Sequence, residues 1–217
     1  MSEEMFHKLA QVVVDGEPEQ AERLAAKALK NTLDPLDCIN KGLNVGIAKV
    51  GDLYDVGEFF LPDLIAGSDA MKAAIDVFEL ALANSNRKRE TRGRVLLGTV
   101  KGDLHEIGKT LVGTMLSANG FQVTDIGVDK AADEFLAVAK ETKATLVGAS
   151  ATLTTTILEQ AKIILVFKEA GLRDKVKIVI GGAPVTQSWA EEIGADGFAE
   201  DAIAAVALAK KLVPSRA

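Results

Sequence analysis

The sequence predicts an α/β protein in which an N-terminal four-helix bundle precedes a doubly wound, five-stranded parallel sheet. Three observations support this fold class. Residues 1–83 carry apolar side chains at helical spacing, residues 84–92 are polar and charged without periodicity, and residues 93–217 alternate valine-rich runs with amphipathic stretches. Because buried strands that alternate with helices are typical of parallel sheets covered on both faces, we expect a Rossmann- or flavodoxin-like second domain after a linker.

Four stretches in the N-terminal part predict helices. The second runs from Pro18 to about Asn31, and the third follows Asp34, which is placed to cap it. The segment GDLYDVGEFFLPDLI then interrupts the helical pattern with two glycines, and a fourth helix follows from Leu61. Helices joined by such short turns are typical of a small bundle.

Five short apolar runs in the second part predict strands. They read RVLLGTV, FQVTDIG, ATLVGAS, VKIVIGG and GFAE, with helices expected at about 110–119, 131–142, 154–170, 187–193 and from Ala202. Ligands of open parallel sheets bind at the carboxyl ends of the strands. His105 follows the first strand, Ser150 ends the third and Gly181-Gly182 end the fourth, so we expect all of them at one rim.

The composition excludes several classes of function. Twenty-five basic and 31 acidic residues give a net charge of −6, which disfavours nucleic acid as a partner. The basic cluster NSNRKRETR at 84–92 is interpreted as a solvated hinge. The sequence offers no secretory leader and no apolar run long enough for a membrane span, and Cys38 is the only cysteine. We therefore expect a cytoplasmic protein without a membrane partner.

The segment VKGDLHEIGKTLVG contains the most informative residues. It lacks the G-x-G-x-x-G spacing of a dinucleotide site, while the fold alone leaves a flavin or a phosphoacceptor site open. An imidazole beside a carboxylate suits metal binding, because the carboxylate fixes the tautomer of the ring. One histidine cannot build a zinc site, but it can be the axial ligand of a metal held in a macrocycle. From Asp103 and His105 alone, an ordinary loop histidine remains the alternative.

The wider pattern resembles a known family. The D-x-H-x-x-G motif (Asp103, His105, Gly108), a serine about 40 residues later and the pair Gly181-Gly182 are similar to the cobalamin-binding signature of methionine synthase. The segments GDLYDVGEFFLPDLI, SATLTTT, GGAPVT and GADGFAEDA resemble the corrinoid proteins of methylamine, methanol and methoxyaromatic methyltransferase systems. The resemblance covers nearly the whole chain. It differs after the third strand, where the family reads S-x-L and this chain has Thr152 before Leu153.

The resemblance implies a cobalamin cofactor and a role for each motif. His105 would be the lower ligand of cobalt, Asp103 would accept its other ring proton, and Ser150 would extend this relay. The helical bundle would cap the upper face, although burial in its own core is an equal alternative for the bundle residues. The residues expected to contact the cofactor are Gly102, Asp103, His105, Glu106, Ile107, Gly108, Ser150, Thr152, Leu153, Thr154, Gly181 and Gly182, with Leu53, Tyr54, Phe59 and Phe60 from the bundle.

The resemblance also implies a methyl carrier that cycles between cobalt(I) and methyl-cobalt(III). A substrate-specific corrinoid methyltransferase would load the methyl group, and a second methyltransferase would pass it to tetrahydrofolate or coenzyme M. A reductive activator is a further expected partner. The alternatives are the cobalamin subunit of an adenosylcobalamin-dependent mutase, a cobalamin-sensing regulator and a cofactor-free interaction module.

Overall fold

The computed structural model describes residues 2–85 and 91–214. The chain forms two compact units, Met1–Glu90 and Thr91–Ala217. Residues 86–90, which make up most of the expected linker at 84–92, lie outside the described residues. Within the described ranges, no helix is both long and apolar enough to cross a bilayer.

The first unit is helical. Its elements are α1 (Ser2–Val14), α2 (Pro18–Lys30), α3 (Pro35–Cys38), a π-helix (Ile39–Leu43), α4 (Asn44–Asp55) and α5 (Leu61–Asn84). The Asp34 side chain accepts hydrogen bonds from the backbone amides of Leu36 and Asp37, which is the cap predicted for the third helix. The apolar stripes meet in one core, in which Leu9, Val13, Leu43, Met71 and Phe78 are fully buried.

The third predicted helix is longer and less regular than its sequence suggests. The π-helix joins α3 to α4, so one apolar stripe passes through three successive helical segments. The helix also continues through Gly51 to Asp55, which corrects the predicted interruption at the first glycine of GDLYDVGEFFLPDLI. A single glycine weakens a helix by only about 1 kcal/mol, and the packing of α4 against α1 and α5 offsets that amount.

The second unit alternates strands and helices. It contains β1 (Arg94–Thr99), α6 (Ile107–Ala118), β2 (Gln122–Asp125), α7 (Ala132–Thr142), β3 (Leu146–Ser150), α8 (Leu158–Glu169), β4 (Lys177–Gly181), α9 (Gln187–Ile193), β5 (Gly197–Phe198) and α10 (Ala202–Leu212). All strand pairs are parallel and the order is β2-β1-β3-β4-β5. The four longer strands are buried or half-buried between the helices, apart from exposed residues at their ends, because their apolar runs leave no polar face.

The strand order brings the ends of three strands together at one edge of the sheet. Thr99 is paired with Ser150, and Ser150 is paired with Gly181, so β1, β3 and β4 end side by side. The chain leaves β1 and β3 towards opposite sides of the sheet, and this switch point is where open α/β sheets bind ligands. The loops after β1, β3 and β4 therefore meet at one rim, as the sequence predicts.

Candidate functional site

A buried carboxylate organises the loop between β1 and α6, which is called the His105 loop (residues 100–106) from here on. Asp103 has no exposed surface, and its two oxygens accept four hydrogen bonds. Oδ1 accepts from the His105 amide at 3.1 Å and from His105 Nδ1 at 2.7 Å. Oδ2 accepts from the Thr152 amide at 2.6 Å and from Thr156 Oγ1 at 3.0 Å. A fully satisfied carboxylate avoids the large cost of a bare buried charge.

These contacts fix the state of the imidazole ring. An ionised carboxylate only accepts hydrogen bonds, so in the neutral ring of His105 Nδ1 carries the proton and Nε2 keeps its lone pair. Nε2 has no hydrogen-bond partner among the described residues, and 57% of the side chain is exposed. The Thr99 hydroxyl also donates to the His105 carbonyl at 2.8 Å. The loop therefore presents a fixed ring with a free nitrogen ligand.

The hydrogen bonds also keep Asp103 charged. Burial by itself raises the pKa of this carboxyl, but the Thr152 amide, the His105 ring and amide, and the Thr156 hydroxyl together outweigh it. They lower the pKa of Asp103 from 3.8 to about 2. The carboxylate thus holds the Nδ1 proton without taking it up at any ordinary pH.

A pH-dependent contribution to stability follows from this shift. Because the folded-state pKa of Asp103 is depressed, its contribution is complete above about pH 4 and is lost as the pH falls towards 2. We expect about 1 to 2 kcal/mol of unfolding free energy to disappear over this interval. The Asp103→Asn variant is expected to lack this loss, because its side-chain amide does not titrate in this pH range.

Urea unfolding, followed by the fluorescence of Trp189 as the only tryptophan, measures this effect at about pH 5 and pH 2.5. Asp174→Asn is the matched control, because Asp174 is an exposed aspartate in the same unit. If Asp103→Asn loses as much stability with falling pH as the unchanged protein, Asp103 is not the group responsible.

The surface around His105 is apolar and open. Leu104 is 72% exposed and Ile107 is 78% exposed, although both are large aliphatic side chains. Glu106 precedes α6 and is exposed, and a Cβ added at Gly108 would meet no atom within 4 Å. Exposed aliphatic side chains beside a free imidazole nitrogen suit a large, flat, partly apolar ligand that buries them. This donor set fits a macrocycle-bound metal, because it supplies only one ligand.

The loops after β3 and β4 border the same rim. Ser150 is half-buried, Thr152 is tied to Asp103 through its amide, and Leu153 and Thr154 are exposed. Gly182 has a φ of +124°, and a Cβ there would lie 1.9 Å from the Ala151 carbonyl oxygen. Only glycine fits this contact, which brings the turn after β4 directly against the backbone after β3.

The structure adds two residues that the sequence did not single out. The Thr156 hydroxyl is one of the four groups bonded to Asp103, the Ser150 hydroxyl is not among these four, and the part of Ser150 in the relay stays a prediction. Thr156 is the last residue of the quoted SATLTTT segment, but helical and strand periodicity do not show which of three consecutive threonines turns inward. Thr99, which holds the His105 carbonyl, was missed because it belongs to the buried strand pattern.

Gln160 and Trp189 support the rim from below. Gln160 is fully buried and donates to the carbonyls of Ala149 and Gly181 at 2.9 and 3.1 Å. The Trp189 indole donates to the Gln160 carbonyl oxygen at 3.1 Å. These bonds join the ends of β3 and β4 to α8 and α9.

The bundle residues expected at the cofactor all belong to the first unit. Leu53 and Tyr54 are half-buried on α4, Phe59 is half-buried and Phe60 is 65% exposed in the turn before α5. Their contact with a cofactor stays a prediction.

The chain was compared with known proteins. Residues 93–207 match the B12 binding domain family, and residues 5–79 match a second B12 binding domain family. A corrinoid protein of Desulfitobacterium hafniense is 42% identical to this chain, with 96% of this chain and 97% of the relative covered. The chain belongs to the corrinoid proteins of methyltransferase systems. The predicted family and the predicted cobalamin cofactor are confirmed.

Other corrinoid proteins show the same likeness over the full length. Trimethylamine corrinoid protein 2 of Methanosarcina acetivorans is 41% identical, with 98% of each chain covered. Among solved structures, the methanol:cobalamin methyltransferase complex MtaBC of Methanosarcina barkeri matches with a TM-score of 0.87 and 30% identity, covering 97% of this chain and 80% of that one. A cobalamin-binding protein from Desulfitobacterium hafniense matches with a TM-score of 0.78 and 30% identity, covering 96% and 98%. The predicted fold class of this corrinoid protein is therefore confirmed.

Proposed function

We propose that this corrinoid protein carries a methyl group between two enzymes. A substrate-specific methyltransferase loads the group onto the bound cofactor, and a second methyltransferase passes it to tetrahydrofolate or coenzyme M. The observation that carries the proposal is the free, exposed Nε2 of His105, oriented through Nδ1 by a buried aspartate that stays ionised. Bound cobalamin supplies a cobalt centre that accepts and releases methyl groups.

The residues of the His105 loop have distinct parts in this proposal. His105 holds the cobalt through Nε2, and Asp103 fixes the ring by accepting from Nδ1. Thr152 and Thr156 hold Asp103 in place from the loop after β3. Because the pKa of Asp103 is lowered to about 2, the carboxylate stays ionised and leaves the ring proton on Nδ1, so that Nε2 would be the nitrogen available to the metal.

The remaining rim residues are proposed to line the path of the cofactor. Leu104 and Ile107 offer the apolar surface that a corrin ring covers, and Gly108 leaves room for it. The nucleotide tail of cobalamin is proposed to lie along the rim formed by the loops after β3 and β4. The residues proposed to contact it are Ser150, Thr152, Leu153, Thr154, Gly181 and Gly182, and Gly102 and Glu106 are proposed to contact the cofactor from the His105 loop. Leu53, Tyr54 and Phe59 are proposed to shield the opposite face.

The names of the relatives support this function over the alternatives. The proteins compared above are named as corrinoid proteins of trimethylamine systems and as part of a methanol:cobalamin methyltransferase complex. These names favour a methyltransferase as the partner, and none of them describes a mutase subunit or a regulator. A reductive activator is the third proposed partner, because a cofactor that becomes oxidised has to be reduced before it accepts a methyl group again.

A reconstitution assay tests the proposal. The purified chain is loaded with hydroxocobalamin, reduced to the cobalt(I) state and mixed with candidate methyltransferases and a panel of methylamines, methanol and methoxylated aromatics. We expect one enzyme and substrate pair to convert the protein-bound cobalt(I) absorption into that of the methylated cofactor. Free cobalamin with the same enzyme is expected to react at least about tenfold more slowly, because the carrier positions the cofactor for the enzyme.

Two controls exclude other causes of a change in the cobalt absorption. Omission of the methyltransferase reveals direct chemical methylation, and omission of the methyl donor reveals simple reoxidation. A chain that keeps no cobalamin after gel filtration, or a loaded chain that no methyltransferase in the panel distinguishes from free cobalamin, contradicts the carrier function.

A further inference from the structure

The entrance of the His105 loop is an exposed turn that needs external support. Gly102 has a φ of +79°, and it leads directly into the buried Asp103. Lys101, Gly102, Leu104 and His105 are exposed, and the Asp103 amide makes one backbone hydrogen bond, to the Val100 carbonyl at 3.2 Å. Because exposed residues lie on both sides of the buried Asp103, contacts with other segments decide how firmly the turn is held.

Asp129 supplies that support from both sides of the turn. Its Oδ1 accepts from the Gly102 amide at 2.8 Å, and its backbone amide donates to the Asp103 carbonyl at 3.0 Å. Lys101 Nζ lies 3.1 Å from the same carboxylate. The Gly102 amide and the Lys101 ammonium hold the pKa of Asp129 below its usual range, so the carboxylate stays ionised.

The backbone of Asp129 also has a conformation that non-glycine residues rarely adopt. Its φ is +56°, in the left-handed region, where a residue with a Cβ is less favourable than glycine. Aspartate and asparagine adopt this region more readily than most other residues with a Cβ, and glycine adopts it without strain.

The segment that presents Asp129 is itself fixed to the sheet. This segment, the loop between β2 and α7 (residues 126–131), bonds to Thr99 through the Gly127 carbonyl at 2.9 Å and the Lys130 amide at 3.0 Å. Its other end is fixed by Asp125, which accepts from the Gly127 amide at 2.8 Å and forms an ion pair with the buried Lys109 of α6. The segment that carries Asp129 is therefore held by bonds to β1 and α6.

We propose that Asp129 is a positioning residue for the metal ligand. It clamps Gly102 and Asp103 so that the Asp103 carboxylate stays beneath His105 and the Nε2 lone pair keeps one direction. The proposal rests on the assignment of His105 as the cobalt ligand under the proposed function. Asp129 itself touches no reacting group.

Three variants distinguish the hydrogen bonds of the Asp129 side chain from the effect of losing a negative charge. Asp129→Gly removes the carboxylate and tolerates the left-handed backbone, so it isolates the side-chain contacts. Asp129→Asn keeps an oxygen that accepts from Gly102 but loses the charge. Asp133→Asn removes the same charge from the exposed first turn of α7 and serves as the control.

The first measurement is amide hydrogen exchange of the protein without cofactor. We expect the Gly102 amide to exchange at least about tenfold faster in Asp129→Gly, because a hydrogen bond to a charged group is lost. Asp129→Asn is expected to stay within about threefold of the unchanged protein, and Asp133→Asn to match it. An unchanged Gly102 rate in Asp129→Gly overturns the clamp, whether or not the protein binds cobalamin.

The second measurement detects the nitrogen atom that is bound to cobalt. Protein labelled with ¹⁵N-histidine and loaded with cobalt(II) cobalamin is examined by electron paramagnetic resonance, where a ¹⁵N ligand gives a doublet and a ¹⁴N ligand a triplet. We expect the doublet fraction to fall at least about threefold in Asp129→Gly and to recover in Asp129→Asn. Faster exchange with an unchanged doublet fraction overturns the positioning role. Absence of the doublet in the unchanged protein contradicts the histidine assignment of the proposed function, while the exchange result still decides the clamp.

Discussion

His105→Ala is expected to remove the protein ligand from cobalt and to lower the rate of methyl transfer by about 100-fold or more. Replacing a residue that only supports a metal ligand commonly costs 10- to 100-fold, so losing the ligand costs at least that much. No second histidine lies in the same unit, because His7, the other histidine of the sequence, belongs to α1 of the first unit. Electron paramagnetic resonance of the ¹⁵N-histidine-labelled protein with cobalt(II) cobalamin measures the ligand.

The second histidine provides the matched control. His7 lies exposed on α1, in the other unit, so His7→Ala is expected to keep the doublet of the labelled nitrogen. His105→Gly leaves space for free imidazole, which is expected to restore part of the nitrogen-ligated signal. A doublet that survives in His105→Ala shows that another residue binds the metal.

Local signals explain why most of the fold could be predicted from the sequence. Strands β1, β3 and β4 are short apolar runs that end in threonine, serine and glycine, and each is followed by a helix whose apolar residues recur at helical spacing. Two features of the fold could not be predicted from the sequence, because they depend on tertiary contacts. Neither the π-helix at Ile39–Leu43 nor the passage of α4 through Gly51 has a local signature, since packing decides both.

The contacts of the site are of two kinds: some join residues that are close in sequence, and others join residues that are far apart along the chain. The pairing of Asp103 with His105 follows from a spacing of two residues within one loop, and the strand ends follow from the rules of parallel sheets. Thr156 and Asp129 lie far along the chain from Asp103, and each reaches it through a loop whose course no periodicity describes. The sequence therefore predicts the ligand and its orienting carboxylate, while the groups that hold the carboxylate emerge only from the structure.

Alanine substitutions at Gly182 and Gly108 are expected to have opposite effects on the stability of the second unit. Gly182→Ala is expected to destabilise the second unit by about 3 kcal/mol or more, because its Cβ would lie 1.9 Å from a backbone oxygen at a φ of +124°. Gly108→Ala is expected to keep the stability or raise it by up to about 1 kcal/mol, since its Cβ meets nothing and alanine favours a helix. Urea unfolding followed by Trp189 fluorescence measures both.

Measuring cobalamin binding distinguishes an effect of the Gly108 substitution on the site from an effect on folding. Gly108→Ala is expected to bind hydroxocobalamin at least about tenfold more weakly although it folds normally, because its methyl group occupies the open space assigned to the corrin ring. Quenching of Trp189 fluorescence during titration reports the affinity. If Gly108→Ala binds as tightly as the unchanged protein, the ring does not approach the start of α6. Unchanged stability of Gly182→Ala would show that the turn after β4 does not lie against Ala151.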